Sequence, residues 1–127
     1  MDKRIMIVDD DPDLLVLLRL LLEHEKFEVL TVDTGRDCLE ELRHGFSGII
    51  LIDVMMPFMD GWTTIREIVK HGYTSQVKIA VMTASWATGQ DTVRDLDPYI
   101  HGYIQKPFNL DRLVKILQNP DFVTAEP

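Results

Sequence analysis

Four separated stretches of this 127-residue chain end in polar residues that a hydrophobic core does not call for. Asp9 and Asp10 follow Ile7-Val8, and Asp53 follows Ile49-Ile50-Leu51-Ile52. Thr83 follows Val81-Met82, and Lys106 follows Ile104-Gln105. The three carboxylates make a hard oxygen donor set. Such a set suits Mg2+ (or Mn2+), which keeps several waters and takes one or two carboxylates plus phosphate oxygens. A carboxylate is also a nucleophile toward phosphorus and forms an aspartyl phosphate. Phosphoryl transfer needs charge neutralisation on the equatorial oxygens. The metal would cover one side of the phosphoryl group, and Lys106 another as a point charge. Thr83 would donate a hydroxyl hydrogen bond. Together the five residues form a set able to accept a phosphoryl group. Singly, each has an ordinary explanation. Lys106 can pair with any of the carboxylates, Thr83 is a normal strand-end residue, and an Asp after a strand is often a cap.

The acidic run Asp9-Asp10-Asp11 needs its own account. At about 4 Å and an effective dielectric near 20, each close pair of carboxylates costs roughly 4 kcal/mol. Such a cluster is exposed, partly protonated, or neutralised by a cation. Asp11 can cap a helix that starts with Pro12. Asp9 and Asp10 have no local role.

The elements that would position these residues alternate along the chain. Short apolar runs bounded by Gly, Pro and Asp predict strands over 4–8, 27–32, 48–53, 78–82 and 101–105. Helical spacing of apolar residues predicts helices between them. The first runs over 13–24 with an inward stripe of Leu14, Leu15, Leu17, Leu18, Leu21 and Leu22. The second starts at a cap, Asp33 or Thr34, and buries Cys38, Leu39 and Leu42, with Gly45 closing it. The third covers 61–70 with Trp62, Ile65, Ile68 and Val69, and Gly72 closes it. The fourth, over 89–96, is weak: Val93 and Leu96 are its only apolar anchors, and Pro98 stops it. The last follows an Asn109 cap and turns Leu110, Leu113, Val114 and Leu117 inward. Five strands alternating with five helices at short loop lengths imply a parallel sheet covered on both faces. In such a sheet the carboxyl ends of all strands lie on one edge, where ligands bind. Asp9, Asp10, Asp53, Thr83 and Lys106 would meet there.

Composition narrows the classes. Hydrophobic residues make up 46% and charged residues 27% of the chain, as in an ordinary soluble globular domain. No apolar run approaches a membrane span, and the start of the chain does not read as a signal peptide. The single Cys38 excludes an internal disulfide and suits a reducing cytoplasm. The net charge of −8 disfavours direct contact with nucleic acid or anionic membrane. His24, His44, His71 and His101 are scattered without ligand spacing, so zinc is not expected.

With these residues in place, the chain resembles the receiver domains of two-component response regulators, and is similar to single-domain chemotaxis-type regulators. The resemblance rests on Ile7-Val8-Asp9-Asp10, on Leu51-Ile52-Asp53-Val54-Met55-Met56-Pro57 with Asp60-Gly61, on Val81-Met82-Thr83-Ala84 and on Lys106-Pro107-Phe108. It covers almost the whole chain, about residues 4–117. It implies a doubly wound, flavodoxin-like fold, a five-stranded parallel sheet in order 2-1-3-4-5 with helices on both faces. It implies that Asp53 takes a phosphoryl group from a sensor histidine kinase or histidine phosphotransfer protein in a Mg-dependent step. Asp10 and Asp53 would bind the metal directly, Met55 through its backbone carbonyl, and Asp9 through water. A cis peptide at Lys106-Pro107 is expected. Thr83 and Tyr103 would form the switch, the aromatic turning inward as the threonine closes on the phosphoryl group. The output would be a change on the face of the fourth helix, fifth strand and fifth helix. Arg94, Tyr99, Tyr103 and Lys115 are placed there, for homodimerisation or for docking a downstream protein. Met55 and Ser85 match the two positions that tune phosphoryl lifetime. Met55 is apolar and cannot orient an attacking water, so slow self-dephosphorylation is expected. Trp86 would lie in the loop after Thr83. Residues 1–118 would be the receiver domain and 119–127 a flexible tail or the start of a linker. The protein would be a phosphoacceptor that assists its own phosphorylation and dephosphorylation, not an enzyme on other substrates.

Three other readings are weaker. A haloacid-dehalogenase-like phosphatase needs a second Asp two residues after the nucleophile, where this chain has Met55. A flavodoxin-like electron carrier needs a phosphate-cradling loop after the first strand, where this chain has three carboxylates. A phosphate-independent pseudo-receiver would not keep all five site residues.

Overall fold

Each strand forms where a short apolar run meets a residue that ends it. A computed structural model describes residues 3–56, 59–84 and 94–119. The strands are β1 Arg4–Val8, β2 Glu28–Val32, β3 Gly48–Asp53, β4 Val77–Thr83 and β5 Ile100–Gln105. The helices among the described residues are α1 Pro12–His24, α2 Gly35–Arg43, α3 Gly61–Lys70 and α4 Leu110–Gln118. The sheet runs β2-β1-β3-β4-β5, and every pair is parallel. This is the doubly wound order expected. β3 lies at the centre and is buried along its whole length, as a strand covered on both faces must be.

The caps follow from local chemistry. Asp11 accepts the Asp13 and Leu14 amides ahead of Pro12. Thr34 accepts Asp37 N–H, and Asn109 accepts Arg112 N–H. Each satisfies a donor that the helix cannot. Gly45, with φ of 101°, turns the chain out of α2 in the left-handed region that glycine favours.

Two apolar clusters cover the sheet. Cys38 and Leu42 of α2 join Ile65 and Ile68 of α3 on one face. Leu18 and Leu22 of α1 join Leu113, Val114 and Leu117 of α4 on the other. Burial pushes the Cys38 thiol up to about 12, with Glu41 adding to the shift. It stays a protonated core residue.

The α1 stripe differs from expectation. Leu18 and Leu22 are buried, but Leu17 is 46% exposed and shares the outer surface with Val16 and Leu20. One face of a helix touches the sheet, and so leucine-rich a segment has apolar residues left over. The expected fourth helix also differs. Its first part lies outside the described residues, as do Val93, Ser85, Trp86, Pro57 and the tail from residue 120. Its described part belongs to a 3-10 helix over Arg94–Tyr99 that contains Pro98. Pro98 does not stop the segment, because a short 3-10 turn accommodates its fixed φ. Leu96 is the segment's buried anchor.

His101 has a structural role that its spacing did not announce. The β4–β5 register slips between Ile79 and Ala80. There the Ile79 amide donates to His101 Nδ1 at 3.2 Å. Burial, and then the nearby Lys78, hold the imidazole below its usual pKa, which preserves that acceptor.

Candidate phosphoacceptor site

The parallel sheet brings the strand-end residues to one edge. Carboxylate oxygens of Asp9, Asp10 and Asp53 lie within 4.8 Å of one another. Asp9 is fully buried, Asp53 is 4% exposed, and Asp10 faces solvent. Lys106 reaches in from the end of β5. Its Nζ lies 3.0 Å from Asp9 Oδ2 and 3.3 Å from Asp53 Oδ2. Backbone bonds lock these ends together. Val54 N–H donates to the Met82 carbonyl at 3.2 Å and Lys106 N–H to the Thr83 carbonyl at 2.7 Å. Lys106-Pro107 is cis, as the resemblance implied.

The first turn of each loop orients its carboxylate. Met55 N–H donates to Asp53 Oδ1 at 3.0 Å, and Asp11 N–H donates to Asp9 Oδ1 at 2.9 Å. Each Asp therefore presents one oxygen to the backbone and the other to Lys106. Burial raises the Asp53 pKa, and Asp9 raises it further, against the Met55 amide and Lys106. Burial opposes the charge of Lys106, but its bonds and charges with Asp9 and Asp53 prevail and hold it above its usual value. The site is thus a desolvated pair of acids with one cation and one solvent-facing acid. An all-oxygen set of three converging carboxylates fits a hard divalent cation.

The structure gathers Asp9, Asp10, Asp53 and Lys106, and buries Thr83 at the adjacent strand end. Tyr103 is set further back on β5. Its hydroxyl donates to the Asp97 carboxylate of the 3-10 segment. Met55 is 68% exposed. Ser85 lies outside the described residues.

Three further contacts support the site. Asp60 caps α3 by accepting Thr63 N–H at 2.8 Å. Gly61 lies against the backbone of Asp53 and Val54. Arg66 of α3 grips Asp95 with two bonds, at 2.6 and 3.2 Å. Asp60-Gly61 carried a sequence signal, a cap residue before a helix. The ion pair carried none, since its partners are far apart in the chain.

The family model of the response regulator receiver domain matches residues 5–118. The chain belongs to this family. The receiver domain is 36% identical over 111 residues to the CpxR homolog transcriptional regulatory protein of Haemophilus influenzae, covering 87% of this chain and 47% of that protein. It spans about half the length of the curated relatives it matches. Among solved structures it resembles a CheY-like receiver domain protein of Methanospirillum hungatei. That likeness has a TM-score of 0.83 and 36% identity over 90% of each chain. It also resembles the response regulator TrrA of Thermotoga maritima in complex with Mg2+-BeF, with a TM-score of 0.75 and 29% identity. That match covers 91% of this chain and 95% of TrrA. No helix of the described residues is long and apolar enough to cross a membrane.

Proposed function

We propose that Asp53 is the phosphoacceptor of this receiver domain. The observation that carries the reading is the Asp53 carboxylate itself. It is buried, aligned by Met55 N–H and Lys106, and set among two further acids. An Asp53 oxygen attacks the phosphorus of a phosphohistidine. The P–N bond breaks, and its electron pair leaves with the imidazole, which takes a proton. Asp9, Asp10 and Asp53 would hold Mg2+, with the Met55 carbonyl as a further oxygen donor and Asp9 acting through water. When bound, the metal supplies charge neutralisation on the phosphoryl oxygens. Lys106 stays on the opposite side as a fixed cation, and Thr83 donates its hydroxyl. The domain occupies residues 1–118, with 119–127 beyond it.

The donor is a sensor histidine kinase or a phosphotransfer protein in the cytoplasm. Loading moves Thr83 and Tyr103 and changes the face formed by the 3-10 segment, β5 and α4. A second copy or a downstream protein reads that face. The net charge of −8 disfavours direct contact of these residues with nucleic acid or an anionic membrane. The domain acts on its own carboxylate and on no other substrate.

Intact-mass spectrometry after acetyl phosphate treatment tests the acceptor. One phosphoryl mass is expected with Mg2+, none with EDTA, and none in Asp53→Asn. An adduct that persists in Asp53→Asn refutes the assignment. The same adduct times the second expectation. The exposed, apolar Met55 offers no hydrogen bond to an attacking water, so the acyl phosphate outlasts seconds. Met55→Asn, or Met55→Glu, would then shorten its life by on the order of tenfold. Loss of the wild-type adduct within seconds would end the claim for Met55.

A further inference from the structure

One buried side-chain oxygen among the described residues has no hydrogen-bond partner: Gln105 Oε1. Buried polar atoms are nearly always paired, so an orphan needs an explanation. Its position suggests one. Side chains alternate along a strand. Ile104 packs with the α1/α4 cluster, and Tyr103 packs against the α2/α3 cluster. Gln105 therefore returns to the face of Tyr103. Across the ladder, Gln105 is the register partner of Thr83, and Tyr103 that of Val81. Gln105 thus stands beside the proposed switch threonine and one side-chain repeat from Tyr103.

Resting on the phosphoacceptor reading above, we propose that Gln105 Oε1 is the inner acceptor for the Tyr103 hydroxyl, the group it bonds when Asp53 is loaded. A phenol donates one hydrogen bond. Here that bond goes outward, to Asp97. Two hydroxyls share the sheet face with Gln105, those of Thr83 and Tyr103. Loading commits Thr83 to the phosphoryl group and opens space beside Gln105. The repeat of about 6.6 Å between Tyr103 and Gln105 is within reach of the two long side chains. Turning inward moves the phenol from an exposed acceptor to a buried, unpaired one. The gain is asymmetric, because only the inward state satisfies Gln105. The exchange also frees Asp97. The 3-10 segment then keeps the Arg66–Asp95 pair and loses its bond to β5. Gln105 is a positioning residue: it touches neither metal nor phosphoryl group and acts through Tyr103.

The test is a double-mutant cycle on Mg2+-beryllofluoride binding, which loads Asp53 without covalent turnover. Gln105→Met keeps the length of the side chain and removes the acceptor. It is expected to weaken binding about five- to tenfold in the Tyr103 protein and less than twofold in Tyr103→Phe. Gln105→Leu repeats the test with a different fill of the same space. Fluorine NMR of 3-fluorotyrosine protein gives a readout that packing alone would not move. The Tyr103 resonance, assigned by its loss in Tyr103→Phe, should shift on loading and shift less in Gln105→Met. A wild type that loads normally while the two substitutions simply add overturns this inference alone. A wild type that never takes up beryllofluoride overturns it together with the acceptor reading.

Discussion

Lys106→Met should cut phosphoryl uptake at Asp53 by on the order of 100-fold, even at saturating Mg2+. It should also lower the melting temperature in EDTA by roughly 10 °C. Both effects have one cause. Lys106 is the cation set against two buried acids, 3.0 Å from Asp9 and 3.3 Å from Asp53. Methionine keeps most of the volume and removes the charge. Removing one partner from a buried ion pair costs about 3–5 kcal/mol, because the other is left uncompensated. The low end applies here, since a quarter of the Lys106 side chain is exposed. During transfer the same absence leaves one side of the phosphoryl group unneutralised.

The pH dependence separates this account from a simple packing loss. The folded-state pKa of Asp53 is already raised by burial and by Asp9. A raised acid binds its proton more tightly folded than unfolded. Its ionised form therefore destabilises the fold at neutral pH, and that cost vanishes below the unfolded pKa. Without Lys106 the cost grows. Lowering the pH into the carboxylate range should close the gap between Lys106→Met and wild type, and adding Asp53→Asn should narrow it at pH 7, leaving the share that belongs to the buried Asp9. A gap that neither change reduces would assign the loss to packing.

The sequence made the sheet edge legible because the relevant signal is local. An Ile-rich run ending in Asp53 is a buried strand whatever surrounds it, and its end is then fixed. β1 and α3 fall where their patterns put them, between residues that begin and end an element. Leu17 shows where local reading fails. The periodicity of α1 shows an apolar helix but not which part of its circumference meets the sheet. Pro98 fails differently: it breaks an α-helix, yet a 3-10 turn tolerates it. The site residues were legible as types at strand ends. The contacts around them were not. Asp97 on Tyr103, and Gln105 beside Thr83, depend on register between strands, which no window of sequence contains.

Gly61→Ala gives the sharpest contrast between local and tertiary reasoning. Gly61 is the first residue of α3, after its Asp60 cap. By helix propensity alone, alanine should stabilise it by about 1 kcal/mol. The geometry predicts the opposite sign. A Cβ at Gly61 would lie 2.4 Å from the Asp53 carbonyl oxygen and 2.6 Å from Val54 Cα. Neither can swing aside, because both are backbone at the end of the central strand. Val54 is held on both sides, its N–H on the Met82 carbonyl and its carbonyl by Gly61 N–H at 3.3 Å. The helix start must retreat or the acceptor loop must shift. Overpacking of this kind costs about 1–3 kcal/mol, occasionally more, and backbone contact places it at the upper end. Urea unfolding should show a loss of at least about 2 kcal/mol. At a temperature where the variant is still folded, phosphoryl uptake should fall further than in Asp60→Ala. That substitution removes the cap bond to Thr63, at about 1 kcal/mol, but leaves Asp53 in place. If Gly61→Ala instead stabilises the protein and loads normally, the helix start is free to move, and the close approach of Gly61 does not hold the acceptor.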